Sequence, residues 1–203
     1  QMVLQKKPGH NTPITWIIIE GITFHRGNPA IKGYACTNCI FRRNWFKDQY
    51  RDAILLPSSI DTIIERNIIS DAGHPGKAHG LYLTGSRLRI TNNIIYGSEK
   101  YGIQMRGNQT FNPTDYPSQD YSDTKDAIIA NNILAYSKNG SGIVVWGSND
   151  DNMRIENNIF YENWQEGPTS YPNGVNCVGC SGSTGIIIRN NLFYASGPGG
   201  TVG

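Results

Sequence analysis

Several residues in the middle of this chain are of types that could act together on an acidic sugar. They are Asp52, His74, Lys77, His79, Tyr82, Tyr101, Gln104, Arg106 and Trp146. An arginine can neutralise a sugar carboxylate through paired hydrogen bonds. A base then removes the neighbouring carbon-bound proton, and an acid protonates the departing glycosidic oxygen, which is β-elimination. In that scheme Arg106 is the neutraliser, His79 or Lys77 the base, and Tyr82 or Tyr101 the acid. Asp52 would hold His79 in one tautomer, while Tyr101, Gln104, Trp146 and His74 would contact the rest of the sugar. A surface Asp–His pair is at least as often only structural, so two readings stand: binding with cleavage, or binding alone.

These residues become neighbours only if the chain folds as a stack of repeats, and two recurring phrases require that. The first is Ile, two variable residues, Asn, then an aliphatic residue: Ile64 to Ile68, Ile90 to Ile94, Ile129 to Ile133, Ile155 to Ile159 and Ile188 to Leu192. Its shared asparagines, Asn67, Asn93, Asn132, Asn158 and Asn191, lie 26, 39, 26 and 33 residues apart, as a fixed unit with insertions would give. Cys36 to Ile40 fits the phrase with Cys39 in the Asn place, and Trp16 to Phe24 is read as one more unit. The second phrase alternates aliphatic and variable residues: Asp52 to Leu56, His79 to Leu83, Tyr101 to Met105, Ser141 to Val145 and Asn173 to Cys177. Period two marks a strand with one buried face.

Each unit is therefore strand, tight turn, strand, loop, and about seven units make a solenoid in which each coil touches only its neighbours. The variable positions of the second phrase then become outward columns: Asp52, His79, Tyr101, Ser141 and Asn173, beside Leu55, Tyr82, Gln104, Val144 and Asn176, beside Pro57, Thr84, Arg106, Trp146 and Val178. The loop holding Asp71, His74 and Lys77 enters the His79 strand, Arg42 to Arg51 overhangs from the coil before, and the insertion from Gly107 to Asp126 follows Arg106.

Asparagine suits the turn because it tolerates left-handed backbone, and stacked amides can bond to one another. With these repeats the chain resembles the right-handed parallel β-helix proteins of the pectate-lyase-like superfamily, whose coils carry an asparagine ladder. The likeness runs from Ile14 to Tyr194 and implies an all-β right-handed parallel β-helix, one domain over residues 1–203. It implies a polysaccharide as partner, with a polysaccharide lyase as the enzyme to test for. It departs from the family's enzymes in detail: only Ala78-His79-Gly80 approaches the Gly-His-Gly of polygalacturonase-like enzymes, and the Asp-Pro-His of alginate-epimerase-like enzymes is missing. No convincing acidic pair supports two-carboxylate hydrolysis. The competing class is a non-catalytic glycan-binding, adhesin-like or structural segment.

A net charge of +2 over 203 residues gives no nucleic-acid footprint, and no apolar run reaches membrane-spanning length. The start, Gln1-Met2-Val3-Leu4, lacks a signal-peptide core. The ends look uncapped, so the expectation is further coils in a longer chain or end-to-end self-association. The location expected is extracellular or cell surface. Cys36/Cys39 and Cys177/Cys180 form two Cys-x-x-Cys pairs about four coils apart, roughly 20 Å at the ~4.8 Å strand spacing, which excludes one shared zinc. Buried thiols rank ahead of local disulfides, and metal comes last. The cofactor is unknown, with calcium left open and no clear site.

Overall fold

The computed structural model describes residues 2–4, 13–73, 78–107, 123–147, 150–163, 174–178 and 182–194. Among them the chain winds through three sheets in a fixed order. Strand Ile54–Ile60 lies in the first sheet, Ile63–Glu65 in the second and Ile68–Ala72 in the third, after which Leu81–Ser86 returns to the first. Neighbouring strands within each sheet are parallel, and the second and third sheets are each seven strands deep, as is the main path of the first. This is the parallel β-solenoid that the repeats imply, and no helix occurs among the described residues.

The interior is built of like residues in columns. In the second sheet Phe41, Ile64, Ile90, Ile129 and Ile155 are aligned strand to strand and fully buried, with Ile188 half-buried above them. The third sheet contributes Phe46, Ile69, Ile95, Leu134 and Phe160. Coil spacing suits flat ring stacking, and Phe24–Phe46 and Phe160–Phe193 stack with centroids 4.9 and 4.8 Å apart. The first sheet supplies two inward residues per strand, such as Leu81 and Leu83, or Ile103 and Met105.

Between the second and third sheets runs the asparagine ladder. Asn132 shows the unit. Its Oδ1 accepts from the backbone N–H and the Nδ2 of Asn93 at 2.9 and 3.0 Å, and its own Nδ2 donates to Ile90 O, Ala130 O and Asn158 Oδ1 at 2.9, 3.0 and 3.0 Å. The same links continue through Asn67, Asn158 and Asn191. The amide thus meets the whole demand of a buried corner, donor and acceptor alike.

Two expectations need correcting here. The ladder's next rung toward the N-terminus is Asn44, which donates from Nδ2 to Asn67 Oδ1 at 3.1 Å, and not Cys39. The segment Phe41-Arg42-Arg43-Asn44-Trp45 is a copy of the first phrase with aromatic residues in its aliphatic places. Cys36 and Cys39 are buried free thiols instead. The side chains of Cys177 and Cys180 lie outside the described residues. Nor do the ladder asparagines carry the left-handed backbone. That falls on the residue before each: Arg43, Arg66, Asn92, Asn131, Asn157 and Asn190, with φ between 53° and 58°. One residue turns the chain and the next satisfies it.

Replacing Asn132 by Ala would strand the Asn93 N–H and the Ile90 carbonyl in a dry corner, at about 3 kcal/mol or more. Replacing exposed Asn131 by Ala would cost only the left-handed strain of one residue, about 1–2 kcal/mol. Urea melts of the two variants should rank in that order, and equal losses would mean that the ladder bonds contribute nothing beyond turn propensity.

Candidate functional site

The corner where the third sheet hands over to the first is tight because a glycine or alanine directly precedes the first-sheet strands that start at Ile31, Ile54, Leu81, Ile103, Ile143 and Val175. A Cβ added at Gly80 would lie 2.6 Å from Gly102 O and 2.6 Å from Ile95 Cγ2, and one at Gly142 would lie 2.6 Å from Phe160 Cδ1. That narrowness presses the preceding residue into the body of the protein. Asp52, His79, Tyr101 and Ser141, expected as an exposed column, are buried, at 2%, 7%, 1% and 0% exposure. Gln104 and Val144 of the second column are buried as well, whereas Tyr82 and Trp146 are half-buried and Arg106 is exposed.

Burial does not scatter these groups. Asp52, His79, Tyr82, Tyr101, Gln104, Arg106 and Trp146 line one cavity of about 240 Å³ on the first sheet. The strand register brings them together: Tyr82 pairs with Gln104, and Arg106 with Trp146. Two cationic residues join them: Arg51, the last residue of the overhanging segment, and Lys100, which was not singled out in the sequence. Each directly precedes a column residue, Asp52 and Tyr101, and that adjacency was the available signal. His74 and Lys77 lie outside the described residues, as do positions 108–122 of the insertion. Asp71 is described but turns at the far corner, against Gly97, and does not line the cavity.

The internal contacts fix the protonation pattern. Asp52 Oδ1 accepts from the backbone N–H of His79 at 3.0 Å, and its Oδ2 is 3.9 Å from Arg51 Nη2. The carboxylate therefore holds the His79 backbone, while the ring is oriented from elsewhere: His79 Nδ1 accepts from the Tyr101 N–H at 3.4 Å. With Nδ1 accepting, the neutral imidazole carries its proton on Nε2. The ring stacks on Tyr101 with centroids 5.2 Å apart and leans on Tyr82 at 5.6 Å. Burial, and then the charges of Lys100 and Arg51, hold the imidazole pKa down to about 3. Such an imidazole stays neutral and is a weak base, contrary to the role expected for it.

Burial acts oppositely on the carboxyl. It pushes Asp52 up to about 6, against the pull of the His79 N–H and of Arg51. Arg106 Nη1 donates to the Tyr82 hydroxyl at 3.0 Å, and Lys100 Nζ sits 5.5 Å from the Tyr101 ring centroid. At neutral pH the cavity thus presents three cationic side chains, one carboxylate, a neutral imidazole N–H donor and aromatic walls. No group of three or more His, Cys, Asp or Glu that could hold a metal occurs among the described residues.

A family model described as Right handed beta helix region matches residues 10–115, about half of the chain. Nothing among curated proteins and nothing among solved structures matches it.

The buried imidazole makes a testable contribution to stability. In the unfolded chain His79 titrates near its ordinary value of 6.5, and in the folded chain near 3. Its contribution is complete above 6.5 and is lost as pH falls toward 3, because the unfolded state takes the proton first. Denaturant melts of the wild type and of His79→Gln should therefore differ in pH dependence. Between about pH 7 and about pH 4 the wild type should lose on the order of 2–3 kcal/mol relative to the variant. Parallel curves would mean that the folded protein protonates His79 freely.

Proposed function

The chain belongs to the right-handed β-helix family, and we propose that within it this protein binds an acidic polysaccharide in the cavity on the first sheet. A β-helix protein is carbohydrate-active or structural, and the observation that favours the first here is the charge imbalance of one cavity. Arg51, Lys100 and Arg106 stand against the single carboxylate of Asp52. Arginine and lysine recognise carboxylate or sulfate groups, Tyr82 and Trp146 offer apolar surface to sugar rings, and Gln104 and the His79 Nε2–H meet hydroxyls. A volume of about 240 Å³ is below the usual range for a whole drug-sized ligand, as suits a polymer gripped at one or two sugars. Such polymers lie outside cells or at their surfaces, where we place the protein. The proposal uses neither His74 nor Lys77.

One observation favours a second reading, cleavage by β-elimination. Asp52, titrating near 6, is the group in the cavity suited to proton exchange near neutrality, so it takes the place of His79 as base. Arg106 would neutralise the uronate, and Tyr82, bonded to Arg106, would be the acid. Incubation with alginate, pectate or glycosaminoglycans should then raise the ultraviolet absorbance of unsaturated uronates, and Asp52→Asn should abolish the rise. Binding without that absorbance eliminates the lyase reading and leaves the binding one.

The binding proposal has its own signature. Ionised Asp52 repels an acidic ligand, so affinity should be highest below about pH 6 and fall as pH rises through it. Asp52→Asn should flatten that profile at the high-affinity level. Arg106→Ala should weaken binding about tenfold, the loss of one charge-assisted contact, while the melting temperature stays unchanged because the side chain is exposed. Calorimetric titration with uronate oligosaccharides checks all three. Affinity that ignores both substitutions would remove the cavity from the reading.

A further inference from the structure

The third sheet turns to solvent a face that the cavity does not use, on which Lys47, beside Trp45, is charged. From its second strand onward the opening residues form one line in register, Trp45, Ile68, Ile94, Ile133, Ile159 and Leu192, each 38% to 60% exposed. Two residues further on, the neighbouring line carries no charge from Ser70 through Tyr96, Ala135 and Tyr161 to Tyr194, and of these Ser70 and Ala135 are buried while the three tyrosines reach solvent. Single exposed aliphatic residues are ordinary. An unbroken line of six is the kind of contiguous apolar surface that marks an interaction site.

We propose that this face joins two copies of the chain, related by a two-fold axis parallel to the axis of the solenoid. The turns flanking the face select that occupant and that geometry. The turn entering the strand presents donors, Arg43, Arg66 and Asn157, and the turn leaving it presents carboxylates at the same heights, Asp48, Asp71 and Glu162, all with positive φ. A two-fold axis parallel to the solenoid sets the entering turn of one copy against the leaving turn of the other, coil by coil. Arg43 then meets Asp48 of the second copy, Arg66 meets its Asp71, and Asn157 meets its Glu162. The contact is self-complementary, as a two-fold interface requires, and its charges are matched. A two-fold axis across the solenoid would instead bring Asp71 against Glu162 and the arginines against asparagines. Arg43 and Asp48 already hold Glu20 and Arg26 within the chain, so Arg66 with Asp71 is the pair that decides the geometry. In this arrangement each apolar line lies on Tyr96, Tyr161 and Tyr194 of the other copy.

Sedimentation equilibrium of the full chain over a range of concentrations tests this. The wild type should reversibly reach the mass of two chains. Ile133→Glu should raise the dimer dissociation constant at least tenfold without changing the circular dichroism spectrum. Arg66→Glu should weaken the dimer about tenfold, and adding Asp71→Arg should restore it. If Ile133→Glu does not fold, the charge exchange decides alone. A wild type that stays monomeric, a mass that grows without limit as end-to-end stacking would give, or a double exchange no tighter than Arg66→Glu, overturns the proposal. None of these outcomes depends on glycan binding.

Discussion

Parallel coils about 4.8 Å apart oblige each residue to stand on its counterpart in the coil below, and that constraint governs everything else in this molecule. A polar residue placed in a buried column must be satisfied largely by copies of itself. Asparagine can do this without end, since an amide is donor and acceptor at once: Asn67, Asn93, Asn132 and Asn158 each bond the next. A carboxylate cannot, because stacked acceptors repel. At the opposite corner single amides serve unlike neighbours instead: Gln49 Oε1 accepts from the Gly27 N–H at 2.7 Å and Asn163 Oδ1 from the Ser137 N–H at 3.2 Å. Aliphatic and aromatic columns obey the constraint through contact alone.

Columns that repeat are therefore architecture, and columns that do not repeat are where the protein departs from self-satisfaction. The column Asp52, His79, Tyr101, Ser141 stacks four unlike groups in a buried place. None can answer the next as an amide would, so the contacts are improvised: a backbone N–H for the carboxylate, another for the imidazole, a tyrosine ring against the histidine. The displaced titrations of Asp52 and His79 record the incomplete solvation that results. Displacements of this kind cluster at functional sites, which is the physical ground for reading the cavity as more than a crevice.

What the sequence disclosed follows from the same distinction. Repetition made the fold legible, since five copies of one phrase fixed the inward isoleucines and the ladder. It failed at Phe41 to Trp45, where aromatic residues stand in aliphatic places yet fill the same columns. The adjacency of some of these side chains was legible too, because period two and coil spacing put Tyr82 beside Gln104 and Arg106 beside Trp146. Burial was not, because alternation tells inward from outward but not how tight a corner is, and the corner at Gly80 and Gly142 closes over the residues before it. Lys100 escaped for a related reason: it reaches the cavity from a turn, and turns carry no periodicity.

Insertions explain why the site belongs to the first sheet. The phrase from Ile64 to Asn67 never changes length in any copy, since an added residue there would throw the ladder out of register. The longer intervals, 39 and 33 residues against 26, arise from sequence next to first-sheet strands, after Arg106 and before Val175. First-sheet strands also reach six and seven residues, at Leu81–Ser86 and Ile54–Ile60, where second-sheet strands have three. Length can vary only where no ladder fixes it, so variable strand lengths and unlike side chains both fall to the first sheet. The third sheet, entered through the ladder, shows solvent an apolar line from Trp45 to Leu192.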